Sequence, residues 1–421
     1  MTSVDTENPV SNLQKWRERL QKELKSPLSL EDLQWEVSEY FSLDPVFEAS
    51  SLGTDYQYLT NFNQEWALLK PNWKPNFKIS NLALEKADPE QVSEAEKTGF
   101  SAWSGKKFNP EIYPILPVEY RLYDSEEAVG NSNCNFDPIM DSLQLGFWTP
   151  TFQKLHSNQP DLPFHIHAAD VHNSGGSAVQ ELAFCLLVTE QYRKTLSEPD
   201  FIKQVPDWAL HLAAGPSFWL EIAKIRAMRL IWMNFCSING AGSIAGNIEV
   251  ETSGVFWSHK DPDGNLLRHT SEVMSGLLAG ADAILIHPHT LDKALALEAS
   301  RLAINIGHLS VKEAHLERYF DPTNGSYLVE ILTHKLAEAA WKQFSEWNEI
   351  PFISFIENGE FQNQVTINRN KLVEKFRSED LIMVGVNKHS SPMSRTSPLF
   401  PSDSKSPKLK FPSLEKLFLD A

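Results

Sequence analysis

Four side chains able to bind metals or transfer protons lie within residues 165–172, namely His165, His167, Asp170 and His172. They stand in and just after PFHIHAAD (163–170), which predicts a strand, and (β/α)8 barrels carry their catalytic residues at strand ends. His165 and His167 share one face of such a strand, as metal ligands do. His287 and His289 repeat this spacing. A metal-dependent hydrolase is therefore one hypothesis for the cluster.

Asp170, His172 and Gly175 also spell DxHxxG, a motif in which the histidine ligates the cobalt of a cobalamin. That motif opens a separate flavodoxin-like domain, whose later pattern requires Ser-x-Leu and then a Gly-Gly pair. Here Ser217 begins the run Ser-Phe-Trp, and no Gly-Gly pair stands where the nucleotide tail would rest. The spelling alone therefore does not predict a cobalamin domain.

The elements that would position these residues follow an alternating pattern. From about residue 55 to 345, short apolar runs alternate with longer helical patterns, which predicts a parallel sheet wound with helices. The strand at 163–170 is followed by a helix at 177–196, where Ser177 and Gln180 have the spacing of a capping box. Its apolar residues recur on one face: Val179, Leu182, Ala183, Leu186 and Leu187.

Further elements are predicted along the chain. Residues 217–235 are apolar on nearly every side, so we expect a largely buried helix. Its charged residues are Glu221, Lys224, Arg226 and Arg229. Residues 254–259 and 283–287 are strand candidates, and between them a helix at 270–278 ends with Gly280 as its C-cap.

The two ends of the chain differ from this middle part. Residues 11–24 predict an amphipathic helix behind a Ser11 cap, with Leu13, Trp16, Leu20 and Leu24 at helical spacing. The aromatic-rich segment that follows predicts packing onto another surface, as a barrel lid or a subunit contact. Beyond about residue 380, Ser, Pro and Lys predict a loose tail, whose final LEKLFLDA is a frayed end or a docking segment.

Composition excludes several classes of function. The chain has 38 basic and 55 acidic residues, a net charge of −17, which repels nucleic acid and anionic membranes. Three widely spaced cysteines, Cys134, Cys185 and Cys236, favour a reducing compartment. There is no leader-like N-terminus and no apolar run of about 18 residues. We therefore expect a cytoplasmic protein that binds neither nucleic acid nor membrane.

Residues 317–341 hold the most specific pattern in the chain, an acidic turn that opens into an amphipathic segment. The pattern consists of Asp321, Pro322, Gly325, Ser326, Tyr327, Val329 and Glu330. This segment and the helix at 217–235 resemble the barrel of methylmalonyl-CoA mutases, over about residues 30 to 350. The resemblance implies an α/β fold, with a (β/α)8 TIM barrel at 55–350. An N-terminal helical arm at 1–54 and a partly loose C-terminal extension at 351–421 would flank it.

The resemblance also implies that the catalytic groups are missing. The segment from His165 to Glu181 aligns without a gap with the family's catalytic strand and helix. Ala169 then stands where the family has a substrate-contacting tyrosine, and Asp170 where it has the catalytic histidine, while Gly175 keeps the helix-opening glycine. An ionised aspartate only accepts hydrogen bonds, so Asp170 cannot donate one to a thioester oxygen as the histidine does.

Other segments agree with this interpretation. The family's channel-forming runs, Pro-Phe-x-Arg-Gly and Arg-Gln-Tyr-Ala-Gly-Phe, are absent, and residues 82–105 look like the non-catalytic small subunit. ILIHPHTLDKAL keeps the family's His287, which we expect to be a satisfied core histidine, but changes the two positions after it. The chain that follows Trp347 is too short to form the family's cobalamin domain.

These observations predict the small (beta) subunit of a heterodimeric methylmalonyl-CoA mutase, with no catalytic, cofactor-binding or metal-binding residues of its own. The large (alpha) subunit would bind adenosylcobalamin and convert methylmalonyl-CoA to succinyl-CoA. Two alternatives remain open from the sequence. One is a stand-alone barrel hydrolase with a metal at His165, His167 and His172, and the other is an acyl-CoA-binding homodimer.

Overall fold

The computed structural model describes residues 10–23, 29, 31–38, 40–47, 51, 76–79, 120–121, 134–135, 164–290, 292–319 and 321–389. The strands are β1 (Trp35–Ser38), β2 (Phe41–Leu43), β3 (Asn76–Ile79), β4 (Tyr120–Arg121), β5 (Cys134–Asn135), β6 (His165–His167), β7 (Ala209–Ala214), β8 (Asn247–Thr252) and β9 (Ala283–Ile286). The helices are α1 (Val10–Glu23), α2 (Ala169–Asn173), α3 (Ala178–Thr195), α4 (Glu198–Gln204), α5 (Phe218–Ile238), α6 (Pro262–Leu278), α7 (Ala296–His308), α8 (Tyr327–Asn348), α9 (Phe352–Glu357) and α10 (Glu360–Arg377).

The central sheet is parallel and has five strands in the order β3-β9-β8-β7-β6. Helices connect β6 to β7, β7 to β8 and β8 to β9, which is the α/β alternation that the sequence predicts. Ile166, Leu210, Val250 and Ile284 are fully buried and belong to the large apolar core. Burial of such side chains stabilises the fold by about 1.5–3 kcal/mol each.

Helices α3, α5 and α8 form much of this core. The five residues of the apolar face predicted for α3 are buried, and so is every other residue from Val179 to Glu190, so this helix is covered all round. Helix α5 is largely buried, as predicted. Phe355 of α9 and Phe361 and Val365 of α10 also pack into the core. The chain after residue 350 therefore continues the packed body at least through these helices.

The structure corrects several predicted element boundaries. The strand predicted at 254–259 is wrong: β8 ends at Thr252, and the chain turns away after it. The strand predicted at 163–170 is shorter, because α2 starts at Ala169. Helix α6 begins at Pro262 rather than at residue 270, and Gly280 adopts a left-handed φ of 75° one residue beyond its C-cap.

The N-terminal part forms a helix and a hairpin. Helix α1 begins at Val10, so Ser11 lies in its first turn and is not the N-cap that the sequence predicts. The antiparallel β1–β2 hairpin packs on its own chain, with Leu43 buried in the core and the Tyr40 hydroxyl donating to Gln343 Oε1 at 2.6 Å. The Lys335 ammonium lies 5.6 Å from the centre of the Phe41 ring. The predictions for residues 82–105 and for the tail beyond 389 lie outside the described residues.

The capping box predicted from sequence is present at the start of α3. Ser177 Oγ accepts from the Gln180 backbone N–H at 3.2 Å, and Gln180 Oε1 accepts from the Ser177 N–H at 2.9 Å. We expect Ser177→Ala to lower the free energy of unfolding by about 1 kcal/mol, since one helix-end N–H loses its acceptor. Urea unfolding measures this. Ser345→Ala, at an exposed position inside α8, is the control and should be neutral or slightly stabilising.

Candidate polar site at the carboxyl ends of the strands

The face of the sheet opposite the helices is lined with polar side chains. In the strand register His167 lies beside His211, and His211 lies beside Glu249. Glu251 follows two residues after Glu249 and so points to the same face. All four side chains are buried. Because the alternate residues pack in the apolar core, this polar row must occupy the opposite face of the sheet.

Glu251 is the centre of this row. Its Oε2 atom lies 3.1 Å from His211 Nε2 and 3.9 Å from His287 Nε2. Its Oε1 atom accepts a hydrogen bond from the Asn173 side-chain amide. His211 Nδ1 lies 3.8 Å from Glu249 Oε2. Burial lowers the pKa of His287, so this imidazole is neutral near pH 7.

A second group of polar side chains lies where β6 and β8 end. His172 Nε2 is 2.8 Å from Ser253 Oγ, and the Ser253 backbone N–H donates to Glu272 Oε2 at 3.2 Å. The same carboxyl oxygen lies 3.0 Å from His269 Nδ1. Burial lowers the pKa of His172 and of His269 to about 3 and raises the pKa of Glu272 to about 8. All three groups are therefore mainly neutral at pH 7.

A third group consists of Lys224 and the two acidic side chains that it contacts, Glu181 and Glu221. The Lys224 ammonium lies 2.7 Å from Glu181 Oε2 and 2.6 Å from Glu221 Oε2, and it donates to the Ala213 carbonyl at 2.6 Å. Burial raises the pKa of Glu181 to about 7. Burial alone would lower the pKa of Lys224, but the two carboxylates hold it above its ordinary value. The group ties α3, α5 and β7 together.

A fourth group explains the specific pattern at residues 317–341. Arg226 Nη2 lies 2.9 Å from Glu330 Oε1 and 3.2 Å from Asp321 Oδ2, with all three side chains buried. The Gly325 backbone N–H donates to the same Glu330 oxygen at 2.9 Å, and Arg226 Nη1 donates to Thr333 Oγ1. The pattern residues therefore act in this chain as a buried ion-pair group that fixes α5 to α8.

The candidate cluster from the sequence is divided in the structure. The His165 and His167 rings are 6.4 Å apart on β6, whereas His172 lies on α2 and contacts Ser253. In the part of the chain that the structure describes, no three His, Cys, Asp or Glu side chains are grouped to hold a metal ion. These residues therefore give the metal-hydrolase hypothesis no support.

The residues of the DxHxxG spelling do not fit a cobalt ligand. His172 is 8% exposed, and its Nε2 atom already contacts Ser253 Oγ. Gly175 has a φ of 89°, and an added Cβ would lie 2.7 Å from Arg369 of α10. The loop is thus closed by packing where the motif requires room for a ring system.

Ala169 and Asp170 lie in the first turn of α2, directly after β6, and both are buried. His287 is mostly buried, with its Nε2 atom facing Glu251. His211, Glu249, Glu251 and Glu272 were missed by the sequence analysis. The signal for two of them was the alternation in NIEVET, which places every second residue of β8 on one face.

Cys185 and Cys236 are both buried in the interior. Burial raises the pKa of Cys236 to about 12, so this residue is not a nucleophile near neutral pH. Within the described residues, no helix combines the length and apolarity needed to cross a membrane.

The fold and the site define an α/β protein with a parallel sheet and a buried polar group at the carboxyl ends of its strands. A sequence model of the family described as Methylmalonyl-CoA mutase matches residues 146–417. The chain therefore belongs to the methylmalonyl-CoA mutase family.

Three relatives illustrate the similarity. The Methylmalonyl-CoA mutase of Rhizobium meliloti is 32% identical over 239 residues, which cover 53% of this chain and 32% of the relative. The small subunit from Streptomyces virginiae is 34% identical over 187 residues, 43% of this chain and 30% of the relative. The small subunit from Propionibacterium freudenreichii subsp. shermanii is 31% identical over 231 residues, which cover 51% of this chain and 36% of the relative. The chain thus spans about a third of the length of these relatives.

Proposed function

We propose that this chain is the non-catalytic small subunit of a heterodimeric methylmalonyl-CoA mutase. The large subunit would bind adenosylcobalamin, which supplies the radical chemistry, and would isomerise methylmalonyl-CoA to succinyl-CoA. The proposal is carried by Ala169 and Asp170, both buried directly after β6, at the two positions where the resemblance puts the family's tyrosine and histidine. A methyl group cannot contact substrate as a phenol does, and a carboxylate cannot donate a hydrogen bond.

The charges around the strand ends support a non-catalytic role. Glu249 and Glu251 lie on one face of the sheet, and the described side chains that flank them include the imidazoles of His211 and His287. An acyl-CoA is polyanionic, so buried carboxylates in this position disfavour its binding. The proposal therefore also predicts that the chain alone binds no CoA ester at physiological concentrations.

We propose further that the parallel sheet belongs to a complete (β/α)8 barrel at 55–350. The support is the pairing of β3 with β9: an early strand is hydrogen-bonded in parallel to the last strand of the sheet. Such pairing of first and last strands is the closure that defines a barrel. The short parallel pair β4–β5 lies between β3 and β6 in the sequence, where the intervening strands would be.

The remaining parts of the proposal concern organisation and surroundings. Residues 1–54 form the arm that contacts the large subunit, and residues 351–421 form the C-terminal extension. We propose that the complex is cytoplasmic. The names of the relatives from Streptomyces virginiae and Propionibacterium freudenreichii, both small subunits, support a larger partner.

The test is mutase activity with adenosylcobalamin and methylmalonyl-CoA, measured for this chain, for a candidate large subunit and for their mixture. We expect no turnover by this chain alone and a 1:1 complex in the mixture. Asp170→Asn should leave the activity of the mixture unchanged, because this side chain takes no part in the reaction. Turnover by the isolated chain, lost in Asp170→Asn, would refute the proposal.

A further inference from the structure

Apolar side chains are exposed where the chain leaves α10. Burial alternates along residues 382–384: Met383 packs in a small buried cluster with Phe376, whereas Ile382 and Val384 are 56% and 59% exposed. The two exposed side chains therefore lie together on the outer side of this segment.

The start of α6 holds this segment and adds a third apolar side chain. Arg268 donates to the Val384 carbonyl, and an added Cβ at Gly385 would overlap the Asp261 carboxylate. Leu267, next to Arg268, is 76% exposed, the highest value among the large apolar side chains that the structure describes. We call Leu267, Ile382 and Val384 the C-terminal apolar strip. Contiguous apolar surface of this kind commonly marks a contact site.

The last residues of the chain have a sequence that suits this strip. They lie outside the described residues and read LEKLFLDA (414–421). Leu414, Leu417 and Phe418 recur at helical spacing, so in a helix they would share one face. The family match continues to residue 417 and therefore includes the start of this segment.

The position of the strip favours an occupant from the same chain. The described residues end at His389, five residues after Val384, and 24 further residues lead to Leu414. A stretch of this length can span up to about 80 Å, so the last segment can reach the strip. Tethering gives it an effective concentration on the order of millimolar, which a free partner rarely matches.

The charges agree with this choice. Residues 390–421 contain five basic and three acidic residues, a net charge of +2, so the remaining chain carries −19. A basic segment is attracted to an acidic body, and the attraction persists over distances shorter than the Debye length.

We infer that residues 414–421 dock on the C-terminal apolar strip of the same chain. The apolar side chains of the segment and of the strip leave water together, which is favourable in proportion to the apolar area that both lose. The contact lies within one chain, so it does not depend on the proposed function.

Cross-linking of the purified full-length chain tests this contact. Leu267→Cys with Phe418→Cys places one thiol on the strip and one in the segment. A short bifunctional maleimide reagent joins thiols that lie close together, and peptide mass spectrometry measures the joined pair. The background carries Cys134→Ser, and the remaining cysteines, Cys185 and Cys236, are buried away from the reagent.

The matched control pairs Ile238→Cys with Phe418→Cys in the same background. Ile238 is 64% exposed, but it ends α5 just before β8, at the opposite end of the strands from the start of α6. We expect at least about 10-fold more intramolecular cross-link from the Leu267 pair than from the Ile238 pair, because docking keeps its thiols together.

Hydrogen exchange of the isolated chain gives a second readout. Leu417→Asp with Phe418→Asp places carboxylates in the apolar contact and should release the segment. We expect the amides of residues 381–388 to exchange about 10-fold faster in this variant. Met393→Asp with Leu399→Asp adds the same charge to the tail outside the segment and should leave the exchange unchanged.

Three results would overturn the inference. One is equal cross-linking of the Leu267 and Ile238 pairs together with unchanged exchange in the Leu417 variant. Another is a cross-link that joins two chains, which would assign the strip to a second copy. The third is protection of residues 381–388 that appears only when the large subunit is added, which would assign the strip to that subunit.

Discussion

Arg226→Met is expected to lower the free energy of unfolding by about 3–5 kcal/mol, the largest effect of any single substitution proposed for this protein. Methionine fills a similar volume but removes the guanidinium that contacts Asp321 and Glu330, and both of these side chains are buried. Burial already raises the pKa of Asp321 even with Arg226 present. The denaturant midpoint and the thermal midpoint of the purified chain measure the effect.

Arg193→Met is the matched control. Arg193 also forms a close ion pair, with Glu190 at 2.6 Å, but its side chain is 31% exposed. The half-exposed Lys194, whose ammonium lies 3.5 Å from Glu190 Oε1, remains as a partner when the arginine is removed, so the cost should be within about 1 kcal/mol. The triple variant that adds Asp321→Asn and Glu330→Gln to Arg226→Met should recover part of the loss, because amides cost less to bury than charges. If Arg226→Met and Arg193→Met lower the free energy of unfolding equally, the buried ion-pair group contributes no more to stability than a partly exposed ion pair.

The Arg226 group changes the meaning of the most specific sequence pattern. Asp321, Gly325 and Glu330 identify the family, yet in this chain two of them bind the arginine and Gly325 donates its N–H to Glu330. Their role here is to fix α8 against α5, more than 100 positions apart in the sequence. Under the proposed function, this group together with Ala169 and Asp170 is the combination expected of a scaffold subunit.

Local patterns predicted the helices well. The Ser177 and Gln180 capping box and the buried helix at 217–235 were both confirmed, because each depends on residues within a few turns. The four charged residues of that helix, Glu221, Lys224, Arg226 and Arg229, are also buried. Their partners lie on other elements, and periodicity contains no information about distant partners.

Prediction failed where the sheet buries polar groups. The apolar run at 254–259 predicted a strand that the structure does not contain. The strand is β8, NIEVET, and one of its faces carries the buried Glu249 and Glu251. Parallel strands buried on both faces usually appear as continuous apolar runs, so glutamates at alternate positions conceal the strand. The same burial placed His211 and Glu272 in the polar site without any sequence motif to mark them.

Glu272→Gln is expected to stabilise the protein above neutral pH. Burial raises the pKa of Glu272 from about 4.5 in the unfolded chain to about 8 in the folded one. Its contribution to stability is therefore fully present below pH 4.5 and is lost as pH rises through 8. Between pH 4.5 and pH 8 the free energy of unfolding falls by up to about 1.4 kcal/mol per pH unit. Glutamine keeps an acceptor for the Ser253 N–H and does not ionise, so the loss should disappear.

Stability measured by urea unfolding from pH 5 to pH 9 tests this expectation. The variant and the unaltered chain should be similar near pH 5 and should diverge by several kcal/mol by pH 9. Glu313→Gln, on an exposed side chain, is the control and should leave the pH profile unchanged. The fall in stability at acid pH should be the same in the variant and the unaltered chain, because His172 and His269 cause it. Burial lowers the pKa of both imidazoles to about 3 in the folded protein, so the free energy of unfolding decreases as pH drops below 6.5. A variant that follows the unaltered chain up to pH 9 would mean that the Glu272 carboxylate is stabilised in the folded state by a cation or a water-filled cavity.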